Sequence, residues 1–187
     1  MRNLILIKHA KPLIDPQKSS ELWRLSLEGR EQAKSLASAI AAYQPTVILS
    51  SEEPKATETA RILAKELNLP AKSTPDLHEH DRSNVPHMRS GEFISNVELF
   101  FRSPDRLVLG KETATQALAR FEHALTQILT DHPEGNLALI SHGTVIALFI
   151  EKHSDRNGFQ IWREMSLPSF AVFDLPEMQL AELQARI

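Results

Sequence analysis

Three short apolar runs, Asn3 to Ile7, Thr46 to Leu49 and Leu137 to Ile140, each stop at polar residues, and each is later followed by a stretch of helical apolar spacing. A strand that repeatedly feeds a helix implies crossover connections, with the strands side by side in a parallel sheet and the helices covering both faces. Strands covered on both faces are apolar throughout rather than alternating, as these runs are. The chain is therefore expected to be α/β, in three α/β/α layers around a mostly parallel sheet.

The helices are marked by their caps. Ser26 suits an N-cap, with Glu28 in the first turn and Ala33, Leu36, Ala37 and Ile40 as the apolar stripe; this helix should end near Tyr43, before Pro45. Ala56, Ala60, Leu63 and Leu67 define a second helix after Pro54. Thr113 to Gln116 has capping-box spacing and opens a long helix whose face runs through Ala117, Phe121, Leu125 and Ile128. Gly143 to about Lys152 returns to helix, and Phe170 to Asp174 and Gln179 to Leu183 read as closing strands around Pro176. Between Pro70 and Gly110 periodicity weakens, leaving an irregular stretch with a short helix around Phe93 to Phe101. A segment of that kind usually covers a functional face, so residues 70–110 are expected to form a lid on a single domain spanning 1–187.

Composition narrows the partners. The formal charge of -3 and the absence of a basic run argue against general binding to nucleic acid or to an anionic membrane surface. With no cysteine, disulfides and thiol nucleophiles are excluded. The longest apolar run, Val145 to Ile150, is far short of a membrane span, and Leu4 to Ile7 is too short for a secretory core, so a cytoplasmic location is expected.

In open parallel sheets, ligands bind beyond the carboxyl ends of the strands. Lys8-His9, Ser50-Ser51 and Ser141-His142 hold those positions, and Lys55 follows closely. Two imidazoles and two ammonium groups at one sheet edge suit a phosphoryl group: a neutral imidazole is a nucleophile that needs no proton removed, and cations with helix N-termini after Ser51 and Gly143 stabilise the transferring oxygens. Taken singly, each residue has a plainer role, as a solvated lysine or a structural histidine. His78, Glu79 and Asp81 lack the spacing or the second ligand cluster of a metal site, so no metal and no cofactor are expected.

Taken together, the motifs resemble the histidine phosphatase superfamily, which includes the cofactor-dependent phosphoglycerate mutases. Leu4 to Ala10 is similar to the opening strand and Arg-His-Gly signature, Leu25 to Ala33 to the Leu-Thr…Gly…Gln-Ala segment, and Ser50 to Ala60 to the Ser-Ser…Arg-Ala…Thr-Ala element. Leu77-His78-Glu79 resembles the Leu-x-Glu that carries the acid/base, Leu139 to Ile146 the second histidine motif, and Gly110-Lys111-Glu112 more weakly a Gly-Glu-Ser. The resemblance implies a phosphoglycerate mutase-like fold and a metal-independent phosphatase acting on a small phosphoester or a phosphorylated protein side chain. His9 would be the phosphorylated nucleophile, His142 a donor to the phosphoryl oxygens and Glu79 the acid/base, with Lys8, Lys55, Ser51, Gly143 and Thr144 binding phosphate. Lys8 and Lys55 stand where arginines are usual, and Ala10 where glycine is. Lysine keeps the charge but loses the paired fork, so turnover should be reduced and arginine at either position should raise it. Arg2, Arg24, Arg82 and Arg89 are candidates to compensate. The rival reading is a phosphate-ligand or regulatory module without turnover; a phosphomutase is the least favoured.

Overall fold

The computed structural model describes residues 2–187. In chain order the strands are β1 (Arg2–Lys8), β2 (Pro45–Ser50), β3 (Ala71–Ser73), β4 (Asn136–Ser141), β5 (Ser169–Leu175) and β6 (Gln179–Gln184). The helices are α1 (Leu27–Ala41), α2 (Pro54–Leu67), α3 (Ser90–Arg102), α4 (Ala114–Asp131), α5 (Gly143–Lys152) and α6 (Gly158–Glu164). All six strands form one sheet in the order β3-β2-β4-β1-β5-β6. β1, β2, β3 and β4 run parallel, while β5 pairs antiparallel with both β1 and β6.

The burial pattern explains the layering. Along β1, Leu4 and Leu6 join a core with Phe121 and Leu125 of α4 and Ile146 and Phe149 of α5, whereas Ile5 and Ile7 join the opposite core with Leu36 and Ile40 of α1 and Ala60 and Leu63 of α2. Successive side chains of a strand point to opposite faces, so one apolar run supplies both cores. α5 is buried from Gly143 to Ile150, as expected of a helix apolar all round, and α4 and α6 flank it.

The caps behave as the sequence indicates. Ser26 Oγ accepts from the Gly29 N–H (3.0 Å), and Thr113 and Gln116 form a reciprocal capping box. The segment 70–110 is more ordered than its composition suggests. α3 is longer than the expected Phe93–Phe101, and the short exposed strand β3 extends the sheet edge. α6 has no counterpart in the sequence reading; the Asn157 side chain caps it by accepting from Gln160 N–H (3.0 Å).

The carboxyl ends of β1, β4 and β2 lie side by side. Lys8 is opposite Ser141 and Ser50 opposite Ile140, and the N–H groups of His9 and Ser51 continue the pairing onto the carbonyls of Ser141 (3.1 Å) and Ile140 (2.9 Å). The loop after β3 is fixed over this edge from α4. The Arg120 guanidinium donates to the carbonyls of Asp76 (2.8 Å), His78 (3.0 Å) and Glu79 (3.2 Å) and is itself paired with Glu112 (2.6 Å). Glu112 also accepts from the Asp81 N–H (2.9 Å). Gly110 makes that approach possible: its φ is +79°, and a Cβ there would lie 2.1 Å from the Asp81 carbonyl oxygen.

Candidate active site

His9 leaves β1 almost fully buried and sets its ring through Nδ1, 2.8 Å from the Ala10 carbonyl oxygen. A carbonyl only accepts, so Nδ1 carries the proton and Nε2 keeps its lone pair. Burial, reinforced by the positive charge of Lys55, lowers the His9 pKa to about 4, so the ring is neutral at physiological pH.

His142 stands edge-on to it, with ring centroids 5.1 Å apart, and is wholly buried at the N-cap of α5. Its Nε2 is 2.9 Å from Ser51 Oγ. Ser51 Oγ also accepts from the Glu53 N–H (3.2 Å). His142 Nδ1 is buried with no partner. Thr144 Oγ1 and Arg82 Nη1 are likewise buried without a partner. Buried polar atoms left unsatisfied are costly, and here they accumulate beside one site.

The charged groups around the histidines are engaged with one another. Lys8 Nζ donates to the Met165 carbonyl (2.8 Å); burial brings its pKa down to about 8, against the opposing pull of Glu79. Its stem lies against Gly143, where a Cβ would come within 3.0 Å of Lys8 Cε. Lys55 Nζ donates to the Ser20 carbonyl (2.7 Å) and to a carboxylate oxygen of Glu53. The other Glu53 oxygen accepts from the Glu79 N–H (2.9 Å) and lies 3.4 Å from His142 Nε2. Glu79 accepts from the N–H groups of His80 (2.9 Å) and Thr144 (3.1 Å). Burial alone would raise its pKa, but Arg82, His142 and these two N–H groups prevail and hold it at about 2.

The structure thus gathers His9, His142, Glu79, Lys8, Lys55, Ser51, Gly143 and Thr144 at one sheet edge. Of the candidate arginines, Arg82 reaches the site, with Nη2 3.6 Å from Glu79 Oε2 and the guanidinium over the Phe93 ring (5.1 Å). Arg2 is bonded to the carbonyls of Gly135 (2.7 Å) and His132 at the amino end of the sheet, and Arg24 pairs with Glu58 (3.6 Å). His80 is structural, stacked on Phe100 and bonded to the Glu112 carbonyl (3.0 Å). Among the described residues, no three His, Asp or Glu side chains are grouped to hold a metal ion, and no helix is long and apolar enough to cross a membrane. Sequence reasoning missed Glu53, although it lies inside the Ser-Ser…Lys-Ala element. The anchoring pair Arg120 and Glu112 was missed as well.

The profile of the histidine phosphatase superfamily (branch 1) matches residues 4–176, nearly the whole chain. The chain belongs to that superfamily. Solved structures of similar fold include a mycobacterial glucosyl-3-phosphoglycerate phosphatase (TM-score 0.76, 19% identity, covering 98% of this chain and 97% of that one). The YhfR protein of Bacillus stearothermophilus is also similar (TM-score 0.77, 19% identity, 100% and 98% covered). So is the alpha-ribazole phosphatase of Shigella flexneri (TM-score 0.73, 19% identity, 98% and 96% covered). No curated protein sequence matches the chain.

A histidine phosphatase scaffold that buries its histidines neutral should be sensitive to acid. Between pH 6.5 and pH 4 the unfolded chain binds a proton at His9 that the folded chain refuses, so stability falls as pH drops through that window, by about 3 kcal/mol for His9 alone. His142, also held below its ordinary value mainly by burial, adds to the loss. The depressed Glu79 extends the fall from 4.5 towards 2. Urea unfolding at pH 7 and pH 4 checks this; equal midpoints would contradict the buried neutral pair.

Proposed function

We propose that this histidine phosphatase family member removes phosphate from a small phosphoester, or from a phosphorylated protein side chain, by transferring it to His9 Nε2 and then to water. The observation that carries the reading is the His9 ring itself: Nδ1–H is spent on Ala10 and Nε2 is left unprotonated, beside the buried and unpartnered His142 Nδ1. In the first step the lone pair of Nε2 forms the P–N bond as the ester P–O bond breaks. His142 Nδ1–H and the Lys8 and Lys55 ammonium groups take up charge on the phosphoryl oxygens, and Gly143 and Thr144 bring the N-terminus of α5 to them.

The leaving oxygen needs a proton, and Glu79 is ionised in the free protein. A phosphate monoester loses its second proton near about pH 6, so the monoanion brings that proton with it, and the ionised Glu79 relays it to the leaving oxygen as the P–O bond breaks, without being protonated at rest. In the second step Glu79 takes a proton from water as the water oxygen attacks phosphorus and releases His9. The cycle uses no cofactor.

A rapid mix with a radiolabelled phosphoester, quenched in alkali, should trap label that is stable to base and lost in acid, as phosphohistidine is. Turnover should survive exhaustive chelation. Turnover without a trappable label would overturn the reading. One observation favours a phosphate-binding module instead: the cations at positions 8 and 55 are lysines, which supply point charges for an anion but not the paired fork. That module would bind inorganic phosphate and show neither label nor turnover.

A further inference from the structure

Two cavities adjoin the loop that carries Glu79, and neither is lined by His9 or His142 themselves. The smaller, about 310 Å³, is lined by the catalytic loop itself, including Glu53, His78, Glu79 and Arg82. The larger, about 420 Å³, is different in character: Trp23, Val85, Pro86, Met88, Phe93 and Ile94 give it an apolar wall. Ser20 and Arg82 line both cavities, so the two are neighbours on either side of these residues. Ser20 is the residue whose carbonyl holds Lys55, and Arg82 is the one whose guanidinium faces Glu79. A volume of this order is that of a small-molecule site.

We infer that the larger cavity is the seat of the substrate's leaving group, and that the substrate class is a phosphomonoester of an apolar, ring-bearing alcohol. This inference rests on the phosphatase reading of His9 for the word substrate, but not for the recognition chemistry. Three features set the class. The aromatic walls are held in place: the Trp23 indole N–H donates to the carbonyls of Asp15 (3.0 Å) and Lys18 (3.2 Å), and Phe93 packs between Arg82 and the Trp162 ring. A flat apolar group gains most from such fixed rings. The charged or titratable side chains on the wall are Lys18, Arg82 and His87, with no carboxylate among them. Aromatic walls alone would also suit a quaternary ammonium, but Arg82 already covers the Phe93 face and Lys18 adds like charge, so a cationic alcohol is disfavoured. Arg82, which lines both cavities, keeps one guanidinium nitrogen, Nη1, without a partner.

The test measures binding by calorimetry to the full-length His9→Ala protein, so that turnover plays no part. Benzylphosphonate should bind at least tenfold more tightly than methylphosphonate, and more tightly than phosphocholine. Phe93→Ala should erase most of that preference, costing benzylphosphonate far more affinity than methylphosphonate. Trp23→Ala should do the same, and the wild-type ligand comparison stands even if that variant folds poorly. Equal affinities for the two phosphonates, or a preference for phosphocholine, would overturn the inference and leave the phosphatase reading intact. A benzyl preference in a protein that never forms a phosphoenzyme would sustain the cavity assignment and defeat the phosphatase reading instead.

Discussion

His9→Ala is expected to lower phosphoester turnover by at least about a thousandfold, because it removes the only step that splits the transfer in two. Binding of inorganic phosphate should change little. His9 presents a lone pair to phosphorus rather than a proton to an oxygen, so the donors that hold the anion remain. His142→Ala is the informative contrast. It deletes the unpartnered Nδ1, the proposed donor to the phosphoryl oxygens, and should both weaken phosphate binding and lower the rate by about a hundredfold or more, as the loss of a positioned donor does. Steady-state kinetics beside phosphate titrations separate the two. A His9→Ala protein that kept a tenth of wild-type turnover would place the nucleophile elsewhere.

Glu53→Gln is expected to tighten phosphate binding by about 10- to 100-fold. Glu53 puts a carboxylate on Lys55 and within 3.4 Å of His142 Nε2, where it repels an incoming dianion; one unit charge at such range in a partly buried site is worth a few kcal/mol before screening. Glutamine keeps one oxygen, enough for the Lys55 ammonium or the Glu79 N–H but not both, so the repulsion disappears at the cost of one of these contacts. The stability cost should appear only in the absence of ligand, since Lys55 then lacks a counter-charge, and added phosphate should restore it. Lys55→Arg alone should gain little, because the guanidinium would close on Glu53 rather than on phosphate; combined with Glu53→Gln it should raise the rate. Unchanged or weaker phosphate affinity in Glu53→Gln would show that the carboxylate does not oppose the ligand.

The sheet edge was legible because its signals are local. A run such as Leu4 to Ile7 ending at Lys8-His9 states both a strand and what lies at its carboxyl end, and Thr113 with Gln116 states where α4 begins. The pairing of Glu53 with Lys55 was not legible, for a physical reason. Residues two apart in a helix do not face one another, but Glu53 is the N-cap, with φ -62° and ψ 137°, so its side chain lies outside the helical register and turns back onto Lys55. β3 and α6 were missed because neither depends on its own pattern: Ala71–Ser73 is exposed throughout and is strand only by pairing with β2, and the seven-residue α6 owes its place to docking on α5. Arg120 is remote from Glu79 in sequence, and nothing local marks it as the residue that fixes the catalytic loop.

That anchorage divides the insert into two parts with different freedoms. Residues 76–81 are fastened to α4 through Arg120 and Glu112, whereas Val85 to Ile94 supply apolar wall and take no part in the fastening. On the proposed reading, acid/base and leaving-group recognition sit on adjoining but separately supported stretches of chain. Substitution within 85–94 should then retune which alcohol is accepted without disturbing Glu79, and a graft of 85–94 from another branch of the family should exchange substrate scope as a cassette.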